Sequence, residues 1–460
     1  MRNTQQVVAA ILSSVCLGHG AWCQAQVWSN PAGGQFGTGS NWSTGTVPNA
    51  GTSAVFSLPG VYGVSFESSR TVNQMIVTNG DVTMSGPGSL TLLTPNSPNN
   101  AGLRVESPLG SSTVLRLRSV NFGVRACAVA QGTNTIAELE VGSGAVLQAF
   151  ELVLAPSSGT GVLTVRDGGR VDSTAGIGIG GGQPATMGIA TVTGAGSQIS
   201  SQAIYVGVGG SGNMLVDAGA RVLSTRNCQI GAGTGPGEAV VRGNGTVLEL
   251  GSTFFDGDFL VGSNSDFRAT GRLAVMSGAR AVSNRPVDIR RYGTLAGNGR
   301  VEAAVLSNGG VIAPGASFAV ETRTLGSMGA TGTLTLTGNF VQSSTGQFQI
   351  ELAGPGAFDQ LSIGGTASLG GSLQVSLLDS YVPAIGSSFP ILIASGRTGT
   401  FGTLSFPSLP ADRSWSLTYP SGGVLITVIP EPRCIVMLGA LALCPRRRRC
   451  ARSEFFTSRS

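Results

Sequence analysis

Two short apolar motifs return through the middle of the chain in step with one another, and nothing else in the sequence restricts the fold as much. One series centres on Val129, Leu154, Ile179, Val206, Ile230 and Val261, at spacings of 25, 25, 27, 24 and 31 residues. The other follows about ten residues later: LEVGSGAVL (139–147), LTVRDGGRV (163–171), ATVTGAGSQI (190–199), MLVDAGARVL (214–223), AVVRGNGTVL (239–248) and LAVMSGARAV (273–282). Within this second series a β-branched residue stands three positions before a turn residue, as in Val141/Gly144, Val165/Gly168, Val216/Gly219 and Val275/Gly278. Val192/Ala195-Gly196 and Val241/Asn244-Gly245 are variants. Gly and Asn accept the φ > 0 geometry that a sharp corner between strands requires. Short strands and sharp corners repeating at this period predict coils of a right-handed parallel β-helix, an all-β solenoid whose turns stack about 4.8 Å apart.

The cysteines test that register. Cys127 and Cys228 each precede a motif centre by two residues, and Leu152, Ile177 and Ile204 hold the same place between them, with Phe259 next. An apolar column predicts an inward ladder, with both thiols as small buried hydrophobes. Four coil steps put them about 19 Å apart, out of disulfide reach.

From about Tyr292 the pattern changes to longer alternating strands, through YGTLAGNGRVEAAVLSNGGVIAPGAS (292–317) and TGTLTLTGNFVQSSTGQFQIELAGPGAFDQ (331–360). The solenoid is expected to continue and close in a β-rich cap ending near Val428, because open sheet edges template aggregation.

Composition agrees with short strands and tight corners. Glycine contributes 71 of 460 residues and charged residues only 11%, against roughly a quarter in ordinary globular proteins. Recurring Val, Leu and Ile argue against a disordered glycine-rich chain. The pI near 9.0 misrepresents the body. There is no lysine, 7 of the 28 arginines lie from Arg433 onward, and residues 26–432 carry 20 Arg against 22 Asp plus Glu. A nucleic-acid partner therefore loses its electrostatic basis.

The first 25 residues read as a secretory signal peptide that would engage the Sec translocon. Arg2 supplies a basic start, Val7 to Leu17 an apolar stretch, and Cys23-Gln24-Ala25 a small-residue cleavage site ending at Ala25. A buried helix is the alternative. The single histidine, His19, lies inside this leader, so the mature chain has none. That excludes Ser-His-Asp and Cys-His triads and histidine-ligated metals, and no cofactor is expected.

The other end carries a second address. Pro430-Glu431-Pro432 is followed by an apolar run from Cys434 to Cys444 and by Arg446, Arg447, Arg448 and Arg449. This resembles the PEP-CTERM sorting signal, which implies recognition by an exosortase-like system. Consecutive arginines resist translocation and act as a basic stop. The apolar run is shorter than the roughly 20 residues that span a bilayer; the resemblance implies an exported protein, at the cell surface or extracellular, with transient inner-membrane association through this segment. The repeats and GTLAGNGRVEAAVLSNGGVIAPGAS are similar to autotransporter-associated, passenger-like β-helix repeats. VWSNPAGGQFGTGSNWSTGTVPNAGTSAVF (27–56) is similar to a segment that opens such exported proteins, and its tryptophans are expected to cover the first coil; a glycan-stacking platform is the weaker reading. The organisation is then signal peptide 1–25, N-terminal β cap 26–100, repeats 101–335, C-terminal β cap 336–428, sorting signal 429–450 and tail 451–460.

Three function classes remain. The first is a non-catalytic structural or adhesin-like protein of the cell surface or extracellular matrix. The others are a polysaccharide-binding module and a polysaccharide lyase or hydrolase, with extracellular polysaccharide as the partner. Enzymes of the last class need convergent carboxylates or a basic group on one face. The acidic candidates are Asp256 and Asp258 in FFDGDFLVG, with Asp167, Arg170 and Asp172 in RDGGRVD. Solvated turn acids are the plainer reading of both, and tandem calcium-binding repeats are absent.

Overall fold

A computed structural model describes residues 25–94, 101–131, 135–157, 159–231, 233–251, 257–264, 269–315 and 330–431. The residues before Ala25 lie outside this set, as do Asp256, Pro432, the apolar run 434–444 and Arg446 to Arg449. Among the described residues the fold is all-β, a 25-stranded and a 16-stranded sheet built almost wholly from parallel pairs. Each strand pairs with the equivalent strand of the next coil, which is the defining connectivity of a β-solenoid.

Every coil contributes to three ladders. In one central coil, Ile136–Gly142 lies in the first ladder, and the long strand Val146–Leu154 supplies both the second (146–149) and the third (151–154). The motif centres stack as read from the sequence: Val129 pairs with Leu154, then Ile179, Val206, Ile230 and Val261 follow in register. Val141, Val165, Val192, Val216, Val241 and Val275 form the matching column of the first ladder. These side chains are buried, and each contributes about 1.5–3 kcal/mol by leaving water.

The two corner types have different chemistry. After the first ladder, Ser143-Gly144, Asp167-Gly168, Ala218-Gly219 and Ser277-Gly278 all take positive φ, the type I′ pattern. Gly194-Ala195-Gly196 and Gly243-Asn244-Gly245 place the extra residue between two positive-φ glycines, which is why those two coils are variants. After the third ladder the corner needs a single positive-φ residue, filled by Ala130, Ala155, Gly180, Gly207, Gly231 and Gly262. A Cβ at Gly207 would sit 2.4 Å from the Pro236 carbonyl of the next coil, so close approach as well as φ demands glycine there.

The bend between the second and third ladders is held by serines. Ala149, Ser173, Ser201 and Ser224 lie in register, followed by Leu250 and Ser283. The buried Ser173 hydroxyl donates to the Gly176 carbonyl (3.0 Å), Ser201 to Ala203 (2.8 Å) and Ser224 to Asn227 (2.6 Å). Each hydroxyl thus ties the end of the second ladder to a backbone carbonyl at the start of the third and is itself satisfied in the interior.

Parallel pairing extends beyond 101–335 on both sides. Ala25–Val27 pairs with Ser53–Phe56, and Val61–Ser65 with Asp81–Ser85, so among the described residues the parallel stacking is already present from Ala25 onward. Trp28 and Trp42 are 0% and 2% exposed and meet edge-on at 5.1 Å, packed against Phe36 and Phe56. They fill the interior of the first described coil. Their faces are therefore closed to a sugar ring, which removes the glycan-stacking reading. At the far end Ser372–Leu377 still pairs parallel with Thr403–Ser405, and Gly423–Pro430 pairs antiparallel with both Ser388–Ile393 and Arg413–Thr418.

Candidate functional site

Among the described residues the structure does not gather the sequence-derived acids into one constellation. Asp167 occupies a first-to-second-ladder corner, where it pairs with Arg166 at 2.6 Å. Arg170 and Asp172 stand outward on the next strand and pair with each other at 2.8 Å. Asp258 is exposed just before Phe259–Val261, its backbone tied to Asn227 and Cys228. Among the described residues no three His, Cys, Asp or Glu side chains converge as a metal site. Pro430 ends the closing strand opposite Arg413, and the Glu431 amide donates to the Asp412 carbonyl at 3.0 Å.

Two other acidic clusters are more deeply set. The first is centred on Glu140, whose side chain is only 3% exposed. It receives Arg116 and Arg118 from the preceding coil and Arg166 from the following one, the last at 2.6 Å. Arg116 also reaches back to Asp81 at 2.8 Å, so a chain of charges crosses four coils. Burial pushes the Glu140 carboxyl up, but the guanidinium groups of Arg118, Arg166 and Arg116 outweigh it and hold it below the ordinary carboxylate range. Three cations and three anions, Asp167 included, leave this cluster neutral. It is a clamp between coils, with no carboxylate left free for acid–base work.

The second cluster includes no cation among the described residues. Asp359 is 1% exposed and Glu351 3% exposed. The Asp359 carboxylate accepts the Gly332 and Glu351 amides, both at 2.9 Å, and joins two neighbouring coils. Burial pushes Asp359 up to about 8, the two amides oppose the rise, and the nearby Glu351 charge adds to it. Burial alone lifts Glu351 to about 7, and its Oε2 has no hydrogen-bond partner among the described residues. Raised carboxyls in a cleft would suggest an acid catalyst, but Asp359 spends both oxygens on backbone amides. The sequence alone does not single this pair out, since 331–360 shows only alternating strands.

Cys127 and Cys228 are free, buried and in the predicted column with Leu152, Ile177, Ile204 and Phe259. Burial pushes both thiols up to about 12, so neither is a nucleophile at neutral pH. Among the described residues no helix is long and apolar enough to cross a membrane. No protein-family model matches the chain, and no curated protein matches it.

Proposed function

We propose that the protein is an exported, non-catalytic rod of the cell surface or extracellular matrix, a right-handed β-helix sorted through its C-terminal PEP-type signal by an exosortase-like system. The observation that carries the reading is positional. The closing antiparallel strand Gly423–Pro430 ends on the first residue of Pro430-Glu431-Pro432. The last described strand thus reaches the first residue of the sorting motif, so cleavage beyond Glu431 would leave that strand and the coils before it intact. The strong preference of parallel crossovers for the right hand supports that part of the reading. The leader that ends at Ala25 and the four arginines from Arg446 support passage across the inner membrane with a basic stop.

The test is cell fractionation with intact-mass analysis of the C-terminus. A variant with Arg446, Arg447, Arg448 and Arg449 all replaced by Ala should change compartment or lose C-terminal processing. Identical location and C-terminal mass for the two chains would defeat the sorting reading.

A further inference from the structure

Where the second ladder bends into the third, an open cleft of about 540 Å³ crosses four successive coils, from Thr91 to Thr174. Its origin is one glycine. Thr91, Gly123 and Gln148 are in register and point outward, and the missing side chain at Gly123 leaves a hollow between its neighbours. Three coil steps give the cleft a length of about 14 Å along the rod. This is within the size range of ligand sites, but elongated.

The lining is of two kinds. Val124 and Ala149 make a buried apolar floor, while Leu93 and Phe150 stand up from it at 47% and 46% exposure. Thr91, Gln148 and Thr174 supply hydroxyl and amide groups along the rim. Arg125 is exposed and, among the described residues, has no carboxylate within ion-pair distance, whereas Arg116, Arg118, Arg166 and Arg170 are all paired. A lone cation beside an exposed ring and hydrogen-bonding rim groups complements a ligand with an apolar face, hydroxyls and a negative charge.

The geometry points to a binding site for an acidic polysaccharide, with a uronate carboxylate on Arg125 and the C–H face of a pyranose ring on Phe150. The cleft runs along the rod, so it takes an extended chain in preference to a compact metabolite. The inference goes beyond the proposed function and is independent of export, because every residue it uses lies between Thr91 and Thr174.

Affinity electrophoresis of the full chain in gels containing polygalacturonate, or neutral dextran as the control, tests it. The wild type should be retarded by polygalacturonate and not by dextran. Phe150→Ala, at an exposed position, should weaken that retardation at least tenfold. Arg125→Gln should weaken it several-fold and reduce its dependence on salt. Gly123→Leu should abolish it without unfolding the coil. A Cβ at Gly123 meets only the Thr91 hydroxyl, at 3.9 Å, and the backbone there does not require glycine. Equal retardation by both polymers, no retardation, or retardation that survives Gly123→Leu with native circular dichroism would overturn the site. So would a change of oligomeric state in Phe150→Ala with polygalacturonate binding intact, since the cleft would then be a contact between copies.

Discussion

Two buried glutamates on the same rod have opposite electrostatic fates. Glu140 and Glu351 are equally hidden from solvent, at 2% and 3%. Glu140 lies among three guanidinium groups from adjacent coils, while the charge that Glu351 faces among the described residues is Asp359, a second acid. Desolvation penalises the charged form in both places. What differs is whether stacking brings a compensating charge, and in a solenoid that is decided by register. Arg116 and Glu140 are direct ladder partners. Glu351 is paired with Ser376.

The largest expected effect comes from emptying the central hub. Glu140→Ala should cost about 3 kcal/mol by leaving three arginines without their shared acceptor. Urea unfolding followed by circular dichroism reads this directly. A loss under about 0.5 kcal/mol would mean the arginines act as ordinary surface charges, and the contrast with Glu351 would collapse. Next in size, Glu351→Gln should raise stability at pH 9 by about 1–3 kcal/mol, because it removes a charge the fold holds unfavourably. Stability unchanged at pH 9 would show that the Glu351 carboxylate is solvated when ionised.

The pH dependence should split along the same line. A carboxyl held below its unfolded value stabilises the fold above about pH 4.5, and that contribution is lost as pH falls through the folded value. That is Glu140, so Glu140→Gln should flatten the acid arm of a stability profile. Asp359 and Glu351 are raised, so their contribution is full below about pH 4 and is lost as pH rises through about 7 and about 8. The Glu351→Gln, Asp359→Asn double variant should flatten the neutral-to-alkaline arm and leave the acid arm alone. Thermal melts from pH 3 to pH 9 check both, and an effect of either variant on the wrong arm would break the comparison. The smallest effect belongs to Asp167, whose side chain is 54% exposed. Asp167→Asn should shift stability by no more than about 0.5 kcal/mol, since Asn also tolerates the positive φ at this corner.

How much of this was legible depends on whether the signal was periodic. The stacking of Val129 on Leu154 and of Cys127 on Leu152 could be read residue by residue, because inward apolar columns and corner glycines repeat in phase. The coils from Ala25 to Val105 could not, since their corners follow no shared spelling and their parallel pairing appears only in three dimensions. The serine column at the bend was hidden for a different reason: in a glycine-rich chain, serine reads as a turn residue. The Glu140 clamp draws on residues from Asp81 to Arg166, and finding it needs the register of the early coils first. Asp359 is a lone acid whose partners are backbone amides, which leave no mark in the sequence.

The two sealed thiols also turn the rod into its own recorder. Neither can react while its coil is closed, and they sit at separate heights in a stack where each layer touches only its neighbours. A thiol reagent would therefore time the opening of two places independently. Fraying that starts at one end would reach them in order, whereas a collapse of the whole column would release both together.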